Sequence, residues 1–165
     1  MKTLQYYLAV FFVFIWCIQS YGESNPSEIK SKLEFVEGNY VLVEGSEERC
    51  QADVVDLRYE YTEKDVILRL GQKFIFANIT QDHFIEPGEH GCSFETNTEI
   101  KKKNIKQSTK HVCNSSDENY RMIMTLTAER ENLKFTYEKK INQKTKNAKF
   151  ECLFKMANQK RGSEL

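Results

Sequence analysis

The residues able to do chemistry in this chain are few and clustered. His83, His90 and His111 stand near Cys92 and Cys113, with Glu86 and Glu89 between the first two histidines. A loop holding two histidines and two carboxylates has the donor types of a metal site. In an extended chain, however, His90 and His111 fall too far apart to converge on one ion, at roughly 3.4 Å per residue. That leaves His83, Glu86 and His90 as the smaller set, against the plainer reading of a solvated loop; no metal is expected. A Gly-x-Ser-x-Gly elbow, a phosphate-binding glycine loop and a His-Glu-x-x-His pair are all absent from the sequence. With no nucleophile, base and orienting group to name together, neither an enzyme nor a cofactor is expected.

Cysteine chemistry depends on the compartment. Lys2, the apolar run Leu8 to Ile18 and the small residues Ser20 and Gly22 have the order of a signal peptide. Residues 1–22 are therefore expected to be removed, leaving 23–165 as one domain in a secreted or periplasmic setting. Nothing later in the chain approaches the roughly 18 consecutive apolar residues that a membrane-spanning helix needs. Cys50, Cys92, Cys113 and Cys152 remain, an even set that argues for two disulfides in an exported chain. No C-x-x-C spacing occurs, which disfavours a zinc ribbon or a thioredoxin-type centre. Asn78-Ile79-Thr80 and Asn114-Ser115-Ser116 fit the N-glycosylation pattern, relevant if the source is eukaryotic.

The elements that must position these residues are strands. Apolar and polar residues alternate for five to ten positions at a time, rich in Val, Ile, Thr, Tyr and Phe. The pattern predicts strands at 33–43, 51–61, 65–70, 73–80, 92–100, 105–113, 120–128, 133–141 and 148–156. Only 25–32 reads as helical.

Cross-strand compatibility fixes the pairing of three hairpins. Ile100 opposite Ile105 brings Thr98 to Gln107, Thr96 to Thr109, and Cys92 to Cys113. The same register sets Glu99 against Lys106 and Glu95 against Lys110, whereas a one-residue slip breaks every pair. A Cys92–Cys113 disulfide follows, leaving Cys50–Cys152. Ala128 opposite Leu133 aligns Leu126 with Phe135, Met124 with Tyr137 and Thr125 with Thr136. Across the longer loop 142–147, Phe135 is expected to meet Phe154, and Tyr137 to meet Cys152.

Short antiparallel strands with local connections must bury one face and protect their edges. The fold expected is all-β: an up-and-down barrel of about eight strands with a short N-terminal helix, or alternatively a two-sheet β-sandwich. Phe35 followed by Gly38-Asn39-Tyr40, at the start of the first strand and after a short N-terminal segment, resembles the opening of a lipocalin-type barrel, which carries Trp at the position of Tyr40. The resemblance implies an apolar ligand held inside the barrel.

Residues 23–99 hold 17 acidic and 7 basic residues (net −10), and 100–165 hold 7 and 16 (net +9). Either the halves pair with one another, or Lys134, Lys139, Lys140, Lys144, Lys146 and Lys149 form a basic edge toward an anionic partner. Balanced charge and export argue against nucleic acid. Two functions stay open. One is a monomeric binding protein holding a small apolar molecule, lined by Phe94, Met122, Met124, Phe135, Tyr137 and Phe154. The other is an extracellular protein-interaction module or inhibitor acting through loops and the lysine-rich edge.

Overall fold

A computed structural model describes residues 26–157, apart from residue 64 and the segments 115–118 and 142–146. The expected signal segment 1–22, Lys144, Lys146 and part of the Asn114 sequon lie outside the described residues. The chain runs α1 (Pro26–Lys32), β1 (Gly38–Glu44), α2 (Glu47–Cys50), β2 (Val54–Tyr61), β3 (Val66–Leu70), β4 (Phe74–Phe76) and β5 (His83–Pro87). After a 3-10 turn at Glu89–Gly91 follow β6 (Ser93–Lys101), β7 (Asn104–Val112), β8 (Tyr120–Glu129), β9 (Asn132–Ile141) and β10 (Ala148–Met156).

All ten strands join one antiparallel sheet in the order β4-β3-β2-β1-β10-β9-β8-β7-β6-β5. A single sheet rules out the two-sheet sandwich, and the described residues form ten strands rather than eight. The β1–β10 pairing unites two meanders, so the sheet's free edges, β4 and β5, are neighbours in the chain. The sheet curls into a half-barrel with a seam between them. Phe74 on edge strand β4 reaches Phe135 in the body of the sheet, ring centroids 3.9 Å apart.

The β6–β7 and β8–β9 registers are those the sequence predicts, pair for pair. The β9–β10 register is corrected by two residues: Phe135 faces Cys152, Tyr137 faces Phe150, and Phe154 faces Leu133. A two-residue slip keeps every side chain on its face, so alternation cannot detect it. Both disulfides form as inferred, Cys50–Cys152 and Cys92–Cys113.

Several boundaries move for local reasons. β2 starts at Val54 instead of 51 because Gln51 adopts φ 85° at the end of α2, a one-turn helix with no counterpart in the sequence reading. The Gln51 side chain then donates to the Leu70 carbonyl and accepts from the Lys73 amide. β4 ends at Phe76 rather than at 80, since Asn78 turns at φ 48°. Gly45 sits against the Cys50–Cys152 bridge at φ 125°, and a Cβ there would lie 2.6 Å from Cys50 Sγ. Only glycine fits that corner.

One end of the half-barrel is plugged. Ile29 and Leu33 of the α1 region, and Phe35 after it, are buried there, so 33–37 forms a cap where a strand was expected. The cap is tied down by Glu34 N donating to Lys102 O (2.7 Å), Tyr40 Oη to Val36 O (2.7 Å) and Tyr59 N to Glu37 Oε1 (2.9 Å). Above it, Phe135, Phe154, Leu126, Ile105, Phe76 and Leu68 are completely buried. Each such side chain contributes ~1.5–3 kcal/mol relative to exposure.

Candidate functional site

Register and period-two alternation arrange the concave side chains of β5–β10 in successive rows. Outermost are Glu86, Phe94, His111 and Tyr120, then Phe84, Thr96, Thr109, Met122 and Lys139. Deeper come Thr98, Gln107, Met124, Tyr137 and Phe150, and deeper still Ile100, Ile105, Leu126, Phe135 and Cys152. Burial follows this order in the middle strands: His111, Tyr120, Met122 and Lys139 are half-buried, whereas Met124, Leu126 and Phe135 are buried. The end opposite the α1 cap is thus an open mouth.

Its lining is mostly aromatic. Phe94 and Tyr120 flank the His111 ring, each with its centroid 4.7 Å away, the latter stacked at 25°. Lys139 Nζ stands 3.9 Å from the centre of the Tyr120 ring, a cation–π contact. Tyr137 stacks on Phe150 at 4.9 Å. Burial pushes the Tyr120 phenol up from its ordinary value, and likewise Tyr137, with Tyr120 adding to the latter effect.

The β6–β7 side of the interior is polar and internally bonded. Thr96 and Thr109 hydroxyls share a 3.0 Å hydrogen bond, while Gln107 Nε2 donates to Thr98 Oγ1 and to the Ala77 carbonyl. At the seam, Asn78 Nδ2 donates to Glu86 Oε1 at 3.1 Å. Thr80 of the same sequon is buried, its hydroxyl donating to Asp65 Oδ1 at 2.7 Å.

The six residues expected to line a ligand site divide by depth. Phe94, Met122 and Tyr137 reach the mouth, but Met124, Phe135 and Phe154 are packed into the core. His111, Tyr120, Lys139 and Phe150 join the mouth. The β8–β9 register sets Lys139 opposite Met122, which puts it on the inner face and not with the surface lysines.

Of the lysines expected to form a basic edge, Lys134, Lys139, Lys140 and Lys149 do not lie on one, because β9 and β10 are inside the sheet. Lys134 pairs with Glu151 (2.7 Å) and Lys140 with Glu138 (2.9 Å), while Lys106–Glu99 and Lys110–Glu95 join the basic and acidic segments at 3.2 Å. Lys139 has no carboxylate within ion-pair distance among the described residues.

The 83–90 segment is edge strand β5 followed by the 3-10 turn. Strand alternation puts His83 and Glu86 on opposite faces, so His83, Glu86 and His90 do not converge. His83 Nδ1 instead lies 3.1 Å from Asn97 Oδ1. Among the described residues, the group with metal-ligand proximity is Cys92, His111 and Cys113 at the rim of the mouth.

Surface depressions among the described residues lie elsewhere. One of about 520 Å³ is bounded by Val36, Asn39, Glu131 and Ala157 at the capped end, and one of about 270 Å³ by Gln51, Val55 and Lys73. Neither gathers the aromatic rings and unpaired cation found in the mouth. Among the described residues no helix is long and apolar enough to cross a membrane. Comparison with protein-family models, curated proteins and solved structures finds no match to this chain.

Proposed function

We propose that this chain is an exported, non-enzymatic binding protein whose mouth takes a small amphiphile with a flat apolar body and an anionic group. The observation that carries the reading is Lys139: a cation without a carboxylate partner among the described residues, held on an aromatic ring inside the concave face. The apolar body would stack on Tyr120, Phe94, Tyr137 and Phe150, displacing water from half-buried rings. The anionic group would meet Lys139, and water excluded from the mouth would screen their attraction less than at an open surface. A plugged base and the resemblance of the Gly38-Asn39-Tyr40 opening to lipocalin-type barrels support the same reading. Two disulfides fit an oxidising compartment, where Asn78 and Asn114 would serve as glycan acceptors if the source is eukaryotic.

Fluorescence titration with anilinonaphthalene sulfonate and its neutral analogue N-phenylnaphthylamine tests it. Both probes are expected to bind. Lys139→Ala should weaken the anionic probe about five-fold, the ratio corresponding to ~1 kcal/mol, and leave the neutral one unchanged. Tyr120→Ala should weaken both. Failure of either probe to bind, or equal effects of Lys139→Ala on both, contradicts the reading.

A second reading, an extracellular protein-interaction module, has one observation in its favour. Val41, Val43 and Val54 stand exposed together on the outer face of β1 and β2. It predicts that Val54→Asp abolishes partner capture and leaves both probes bound.

A further inference from the structure

We infer that Cys92, Cys113 and His111 form a redox-gated zinc site at the rim of the mouth, closed while the disulfide stands and opened by its reduction. The inference does not depend on the ligand reading. The three candidate donor atoms all lie within 4.8 Å of one another, with His111 Nδ1 and Nε2 at 3.6 and 3.5 Å from Cys113 Sγ. Alternation puts residues 111 and 113 on one face of β7, and the register brings Cys92 opposite Cys113. Two thiolates and one imidazole with an open fourth position form a recognised zinc donor set.

What makes the set a site is that its backbone is held independently of the disulfide. Cys92 N donates to Glu89 O, and Cys92 O accepts from Gly88 N. Cys113 N donates to Asn119 Oδ1. Phe94 and Tyr120 flank the His111 ring and keep it beside Cys113; its nitrogens stand almost equally far from Sγ, so ligation takes a turn of the ring about χ2. Donors therefore stay close when the sulfur–sulfur bond is broken.

The two disulfides also differ in access. Cys50 and Cys152 are fully buried against Gly45, whereas Cys92 is half-buried at the sheet end and offers its sulfur to attack. A small dithiol therefore reaches the second bond first. It gives two electrons and two protons, converting Cys92–Cys113 to two thiols as the dithiol becomes its own cyclic disulfide. A zinc(II) ion then replaces both thiol protons, releasing them to solvent, and accepts a lone pair from one ring nitrogen of His111.

The test uses the full folded chain, reduced anaerobically with dithiothreitol, freed of reductant and titrated with cobalt(II) as a spectroscopic substitute for zinc. Peptide mapping of the same sample should show Cys92 and Cys113 reduced and Cys50–Cys152 intact. One cobalt per chain is expected, with thiolate-to-cobalt charge-transfer absorption and intense visible bands that zinc(II) displaces. The oxidised protein should show neither. His111→Ala should weaken cobalt binding by about ten-fold or more and diminish the visible bands, and Cys92→Ala should abolish the charge-transfer band. No charge-transfer band after mapped reduction, an unchanged spectrum in His111→Ala, or loss of the far-ultraviolet strand signal on reduction would each overturn the proposal.

Discussion

The capped base and the open mouth of this half-barrel are built from the same strands, yet they do different things. Near the base, Leu126, Leu133, Phe135 and Phe154 meet Phe76 and Leu68 from the opposite side and leave nothing exposed. Near the mouth, Phe94, His111, Tyr120 and Lys139 face inward without being covered. The β4–β5 seam explains the contrast: β4 is three residues long and ends where Asn78 turns, so it covers the lower rows only. Stability resides in the covered half, and the open half is free to carry a site.

The largest effect expected from that division concerns the two disulfides. Replacing both Cys50 and Cys152 by Ala should cost ~4–5 kcal/mol, because the bridge spans 102 residues and lies in the covered half. The Cys92–Cys113 bridge, spanning 21 residues at the mouth, should cost about 1 kcal/mol less on loop length alone. Urea unfolding of the two double variants checks the order; a reversed order would break the contrast.

Next comes Phe135→Ala, expected to cost ~3–5 kcal/mol through a cavity among Phe74, Phe76 and Phe150. Tyr120→Ala should cost far less stability and lose probe binding instead. Thermal melts paired with probe titration measure both, and a Phe135→Ala variant as stable as Tyr120→Ala would count against a filled base.

A smaller, pH-dependent effect follows from Tyr59. Burial, reinforced by Tyr61 and Glu37, pushes its phenol far above the ordinary value of 10.0. A raised acid pKa favours the neutral folded form, so its contribution is fully present below about 10 and is lost as pH rises through the folded value. Stability should therefore fall in alkali, and Tyr59→Phe should flatten that fall. Denaturant midpoints across the alkaline range test it.

The smallest effect belongs to the outer-face ion pairs. Lys106→Ala, which breaks the exposed contact to Glu99, should change stability by less than about 1 kcal/mol and leave probe binding intact. A larger change in either would mean that the outer face contributes more than this account gives it.

What the sequence made legible was the face of each residue; what it hid was depth. The β6–β7 register was readable because Glu95–Lys110, Glu99–Lys106 and a Thr pair all agree and a tight turn anchors them. In β9–β10 the longer loop gave no anchor, and a slip of two preserves every face. β5 was read as a loop because it is an edge strand with charged and exposed positions, ending at Pro87, where a missing amide hydrogen is tolerated. Alternation placed Phe94, Met124 and Phe154 on one inner surface, but their distance from the capped end depends on where β4 stops. That stop rests on the Asn78 backbone and the Asp65–Thr80 hydrogen bonds, which no periodicity reports.

The most direct test of the central claim is a backbone amide nuclear magnetic resonance titration of the mature protein with anilinonaphthalene sulfonate. Saturable shifts are expected at Phe94, His111, Tyr120, Met122 and Lys139, with Leu33, Phe35 and Leu133 unmoved. Shifts centred on the capped end, or spread evenly over the outer face of β1 and β2, would contradict that claim.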